Sequence, residues 1–390
     1  RLRMYVDENY NPQGDGGGLT FSVRINVYGL AGEKYVPETI KTLLAANPVQ
    51  EEKTNMFNYA SNGNYTNLNY DELNDPNYIT NGLYSTEDED GTSYYFRGNV
   101  ENNNVQFGVY ASDYYVYQRG SGYYQSQESC EEDGNSTCTP VKLASAGDKM
   151  YWKIVRVNGD GSLRLIYNGI SATPDNSDLA HSYSIGVTPY NLSRNDPKYT
   201  GYTYDNGTDS FIKREVDTWY QNTLGKSNYD RMVTSGRFCS DSSGYQDGSA
   251  FGVSNVFASM VRLGQSMTNF ASPNAPTLKC PATSESYGGS YRLKAGLITA
   301  DELALAGESS CYVVGNSYLN PGDNDLAWYW SMTPAFSFFD DASVWNEKDF
   351  LNRYNVNNPY GARPVINVTT DNGFASGDGS VENPYILDVE

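Results

Sequence analysis

Histidine is almost missing from this chain, with one residue, His181, in 390. A single imidazole excludes multi-histidine metal centres and leaves one candidate for an imidazole base, so most zinc enzymes and hydrolase triads drop out. Basic charge is also short: 27 Lys and Arg stand against 47 Asp and Glu, for a net charge of −20. Nucleic-acid binders need a basic footprint and anionic lipid surfaces attract one, so neither partner class fits. No apolar run approaches the roughly 20 residues of a membrane-spanning helix. No signal peptide is visible, but the chain starts at Arg1, which leaves room for a removed upstream segment. The glycine-rich stretches at Gly14–Gly18 and Gly377–Gly379 lack a following Lys-Ser/Thr, which rejects a phosphate-binding loop.

What the chain has is tyrosine, 35 residues against 14 Phe, with abundant Asn and Gly. Apolar residues reach only 38%, but aromatics reach 14%, enough to bury a core and argue against disorder. A tyrosine ring with its polar tip suits half-buried sheets and wet binding surfaces. Together with the acidic charge, this reads as an extracellular or cell-surface protein more than a cytosolic enzyme. The length predicts about two to three domains.

The cysteines are Cys130, Cys138, Cys239, Cys280 and Cys311. The first two lie in one polar, turn-rich loop, and a local disulfide there fits an oxidising compartment. Cys239 and Cys280 are candidates for a second bridge, which leaves Cys311 as a buried thiol or an inter-chain partner.

Period-two alternation predicts strands at Arg1–Val6, with Leu2, Met4 and Val6 on one face, and at Leu19–Tyr28; a short helix starts at Val36 and ends at Asn47-Pro48. Residues 1–50 thus form an N-terminal region, 51–77 a linker or surface loop, and 78–390 a main domain. Tyr151–Tyr167 is the clearest hairpin, two alternating runs around Asn158-Gly-Asp-Gly. From Phe211 a helix is expected with Ile212, Val216, Trp219 and Tyr220 on one face and Asp209 or Ser210 as its cap. Thr299 with Glu302 forms a capping box before a short helix that stops at Gly307, and the C-terminal part reads as strands. The fold class is α+β, β-rich with long loops.

Eight stretches in collinear order carry a resemblance: 94–102, Trp152–Gly161, Val216–Tyr220, Phe238–Asp241, Leu278–Pro281, Gly296–Glu302, Trp330–Pro334 and Tyr360–Val368. They resemble a poorly characterised domain of surface proteins from Bacillota and related gut bacteria, itself related to the formylglycine-generating-enzyme and C-type-lectin-like folds. The resemblance spans about residues 78–388. It implies a small sheet with long loops, those near the C-terminal end presenting a ligand-binding face. The enzyme branch of that superfold uses a reactive cysteine pair, whereas Cys239 and Cys280 sit in settings that read as a structural bridge, so that chemistry is not carried over.

Within Phe336–Tyr360, aromatics alternate with Asn, Asp and Arg, and Trp345, Phe350, Arg353, Tyr354 and Tyr360 are the candidate ligand-binding residues, with glycan or protein as ligand. Taken singly, Trp345, Phe350 and Tyr354 read first as core or subunit contacts. Trp328 and Trp330 share one side of a strand and read as core. Arg363 is expected in a buried ion pair, with a clamp on an anionic ligand as the alternative. His181 reads as a surface or hydrogen-bonded residue, and the acidic turn at Glu87–Gly91 as a solvated hairpin turn. Asp340-Asp341, Asp301-Glu302 and the pair Asp323 and Asp325 read as solvated loop carboxylates, at most weak Ca²⁺ ligands; no other cofactor is expected. Asn64, Asn135, Asn191, Asn206 and Asn367 start Asn-x-Ser/Thr sequons.

Two function classes remain. One is a non-catalytic structural or adhesive surface protein, assembling with copies of itself by donating the Leu2–Met4–Val6 strand to a neighbour's sheet edge, or joining other envelope proteins. The other is a lectin-like receptor module using 336–360. An enzyme, a glycan hydrolase or a formylglycine-type oxidoreductase, is the weaker third reading.

Overall fold

In the computed structural model the described residues are 36–52, 81–134, 136–204, 207–243, 254–263, 276–280, 289–308, 317–320, 328–338, 341–347, 351–370 and 373–387. The expected strands at Arg1–Val6 and Leu19–Tyr28, the segment 53–77, and Cys311, Asp323, Asp325, Asp340 and Phe350 lie outside them. The chain is mixed α+β and strongly β-rich, with short helices between two large sheets.

The Tyr151–Tyr167 hairpin forms as its pattern predicts, as Lys149–Val157 against Leu163–Tyr167. Asn158 starts the turn, accepting from Gly161 N–H and donating to Ser162 O, both at 2.8 Å. This hairpin is the centre of a ten-stranded sheet. To one side lie Val365–Val368 and Val233–Thr234; to the other lie Asn104–Val109, Tyr385–Leu387 and Phe374–Ser376. The hairpin Gly82–Asp88/Gly91–Arg97 attaches to it through Lys149–Val157. A nine-stranded sheet runs Leu351–Asn355, Asp341–Glu347, Tyr329–Phe338, Pro359–Ala362, Gly186–Pro189, Gly122–Tyr124, Tyr114–Arg119, Thr139–Ala144, with Ser254–Val256 added to Tyr329–Phe338. Pro334 has no N–H for a ladder, and the register shifts on both sides of it.

Both sheets and the Phe211–Asn222 helix feed one core. Ser210 caps that helix by accepting from Lys213 N–H at 3.2 Å, and Ile212, Val216, Trp219 and Tyr220 are all buried, as their spacing requires. Trp152, Tyr167 and Trp219 pack with centroids 5.3 to 6.3 Å apart. Their polar tips are met: Trp152 Nε1 donates to Phe107 O at 2.6 Å and Trp219 Nε1 to Tyr110 Oη at 3.2 Å. The helix expected near Val36 spans Glu38–Ala46 and places Ile40 and Leu43 in this same core. The capping box of Thr299 and Glu302 is present, and Gly307 ends the Ala300–Ala306 helix at φ 114°.

Both expected disulfides are formed, Cys130–Cys138 and Cys239–Cys280. No helix among the described residues is long and apolar enough to cross a membrane.

Candidate functional site

The aromatic candidates lie on the nine-stranded sheet. Tyr354 sits opposite Val344 in the Leu351–Asn355 pairing, and Tyr360 opposite Thr188. The structure brings these two together, half-buried, with ring centroids 5.0 Å apart. Tyr360 also meets Trp330 edge-on at 5.0 Å and Trp328 at 6.2 Å. Trp330 is fully buried, donates through Nε1 to Thr188 O at 3.0 Å and contacts Tyr190. The result is a strip of three half-buried rings, Tyr354, Tyr360 and Trp328, resting on a rigid buried base. Trp328 thus departs from the plain core role expected of it, whereas Trp330 fulfils it. Arg353 is half-buried beside Tyr354, and its partner across the ladder is Trp345, whose backbone runs in Asp341–Glu347.

A second cluster, invisible in the sequence, closes around the Cys239–Cys280 bridge. Arg156 reaches Asp88 at 2.9 Å and Glu302 at 3.0 Å; Arg164 reaches Glu302 at 2.5 Å and stacks on Phe238 at 4.3 Å. Arg262 binds Asp301 at 2.6 Å and Asp241 at 2.8 Å. Burial, more than these partners, sets Arg164, whose guanidinium is pulled down to about 10. Glu302 is buried too, but Arg164 and Arg156 outweigh that and hold it below its usual value. The reading of Asp301 and Glu302 as solvated loop carboxylates is therefore corrected: both lie on the first helical turn, are under 5% exposed and are ion-paired. Asp88 of the acidic turn is likewise buried, bonded to Arg156 and Gly159 N–H, so that turn forms a hairpin but is not fully solvated. The space left among these groups is about 30 Å³, room for only a few water molecules. With each of its three arginines ion-paired to one or two of four carboxylates and little room left, the cluster reads as structural.

An open groove of about 380 Å³ runs beside the Phe211–Asn222 helix, large enough for a small molecule. Its cations are already committed, Lys213 to Asp209 and Asp217, Lys294 to Asp230.

Arg363 is also corrected. It is 1% exposed but hydrogen-bonds to Tyr167 O, Asn168 Oδ1 and Leu319 O rather than to a carboxylate, and lies between the rings of Tyr183 and Tyr329 at 4.8 and 5.0 Å. His181 is exposed and bonds Asp178 at 2.7 Å, which raises its pKa. Two sequons fail physically: Asn191 and Asn367 are buried, and Asn191 Nδ2 donates to Tyr199 O. No protein-family profile, curated protein or solved structure matches this chain.

Proposed function

We propose that the chain is a non-catalytic, secreted surface protein of the adhesive kind, and that the strip of Tyr354, Tyr360 and Trp328 is a glycan-binding face. The strip carries this reading: three part-exposed rings, held by a buried base, offer apolar faces to the C–H surface of a sugar at little entropic cost. The Asn-rich turn at Asn355–Asn358 and Arg353 add polar partners for hydroxyl groups. Two disulfides fit an oxidising exterior, and the acidic charge suits an exposed surface. In this reading the β-rich architecture is a variant of the C-type-lectin-like arrangement implied by the collinear motifs, with the site near the C-terminal end.

A glycan array with the purified chain, followed by titration of the best ligand, tests it. Tyr360→Ala should weaken binding about tenfold or more, as for a central interface aromatic. Tyr115→Ala, which removes an exposed ring at the far side of the same sheet, should leave binding unchanged. Absence of any glycan ligand, or equal losses in both variants, would refute the proposal. Self-assembly through Leu2, Met4 and Val6 is the structural form of the same surface role; filaments that vanish on deleting residues 1–13 would establish it by negative-stain microscopy.

A further inference from the structure

Asn104 and Lys153 face each other across the ladder between Asn104–Val109 and Lys149–Val157. Directly opposed residues of an antiparallel pair have Cβ atoms about 4.5–5.5 Å apart and point to the same side of the sheet. Here the side chains meet, with Lys153 Nζ 2.6 Å from Asn104 Oδ1. The amide is held in one orientation: Asn104 Nδ2 donates to the carbonyls of Glu101 and Gly379, each at 2.8 Å, so its own carbonyl faces the amine. A carbonyl bond is about 1.23 Å, so the amide carbon lies within about 3.8 Å of Nζ. That is close to the roughly 3–3.5 Å of a near-attack arrangement, and rotation of the lysine's terminal bonds closes the rest.

The surroundings favour a reactive amine. Asn104 is 1% exposed, and the other ladder neighbour of Lys153 is the buried Ile166. Burial first, and the positive charge of Arg363 second, pull the lysine down to about 8. At pH 7 on the order of a tenth of it is therefore the neutral nucleophile, against well under a hundredth for an ordinary lysine.

We propose that Lys153 and Asn104 join in an intramolecular isopeptide bond, a cross-strand amide from Nζ to Cγ. The amine lone pair attacks Cγ and forms the new C–N bond. The tetrahedral adduct collapses by breaking Cγ–Nδ2, and the proton lost by Nζ goes out on Nδ2 as ammonia. The step consumes no oxidant, reductant or co-substrate. It removes a part-buried amine and ties two adjacent strands across a sequence separation of 49, a loop that contains the Cys130–Cys138 bridge. A surface protein under mechanical load gains from a covalent tie that reduction does not break.

Intact-mass measurement on the full chain, with its disulfides reduced and alkylated, decides the matter. The expected mass is below that of the fully alkylated sequence by one ammonia, about 17 Da. Proteolysis should then release a branched peptide joining the segments around Asn104 and Lys153. Lys153→Arg should restore the full mass. Asn104→Asp should form the same bond with loss of water, about 18 Da. Wild-type protein at the full mass of the alkylated sequence, or a deficit that persists in Lys153→Arg without a branched peptide in the wild type, would overturn the proposal; the wild-type reading does not depend on any variant folding.

Discussion

Buried and part-buried cations in and beside the ten-stranded sheet are met in two ways. Arg156 and Arg164 face a buried carboxylate, Glu302, which accepts from both. Lys153 and Arg363 direct their hydrogen bonds to amide and carbonyl oxygens instead. The first solution sets charge against charge and leaves room for only a few waters. The second leaves the charge without a carboxylate, and burial then pulls the Lys153 amine down to about 8, while Arg363 lies against the rings of Tyr183 and Tyr329.

Removing the carboxylate breaks the first solution. Glu302→Gln strands the Arg164 guanidinium in a buried site, leaves Arg156 with Asp88 alone, and also weakens the helix cap at Thr299, since Glu302 accepts from its backbone N–H. The expected loss is about 3–5 kcal/mol, typical of deleting one partner of a buried pair. Urea unfolding of both proteins measures it; a loss below about 1 kcal/mol would show that the arginines find other partners and that the cluster is not structural. The disulfide bordering this cluster should come next. Cys239–Cys280 spans a sequence separation of 41 and Cys130–Cys138 one of 8. Chain entropy predicts about 4 kcal/mol for the first and about 2.5 kcal/mol for the second. Comparing the two double Cys→Ser variants by urea unfolding checks the order, and a reversed order would show that local strain or residual structure, not loop length, governs them.

Short-range physics was legible in the sequence and long-range pairing was not. The hairpin at Asn158, the helix cap at Ser210 and the capping box at Thr299 each rest on residues within a few positions of one another, and all three formed. The Cys130–Cys138 bridge followed from one shared loop, and Cys239–Cys280 was a candidate that the fold completes. Glu302 lies 146 positions from Arg156, and Arg363 lies 196 from Tyr167, so nothing local announced either contact. The Asn104–Lys153 meeting depends on strand register, which period-two patterning fixes only to a face and not to a partner. At the aromatic strip the residue types were readable, but the joining of Tyr354 to Trp328 through Tyr360 required the parallel contact of Tyr329 with Gly361.

Glu215 carries the comparison over to a buried anion. It is 2% exposed, accepts from Gln125 N–H at 2.6 Å, and bonds the Ser129 hydroxyl. Burial pushes it up to about 7, against the pull of those two donors and of Arg214, with Glu132 adding to the rise. If neutral partners do not compensate charge, this carboxylate should behave as Lys153 does and favour its uncharged form. The sign then follows. A folded pKa raised above the unfolded value gives stability that is full below about pH 4.5 and lost as pH rises through about 7. Glu215→Gln keeps an acceptor for Gln125 N–H and carries no charge, so it should flatten that slope. It should be close to wild type at pH 4.5 and more stable at pH 8.5 by up to about 3 kcal/mol. Unfolding free energies at the two pH values decide it. Equal stability of the two proteins at pH 8.5 would mean that the Gln125 and Ser129 donors do compensate the charge, and that neutral partners suffice for an anion where they fail for an amine.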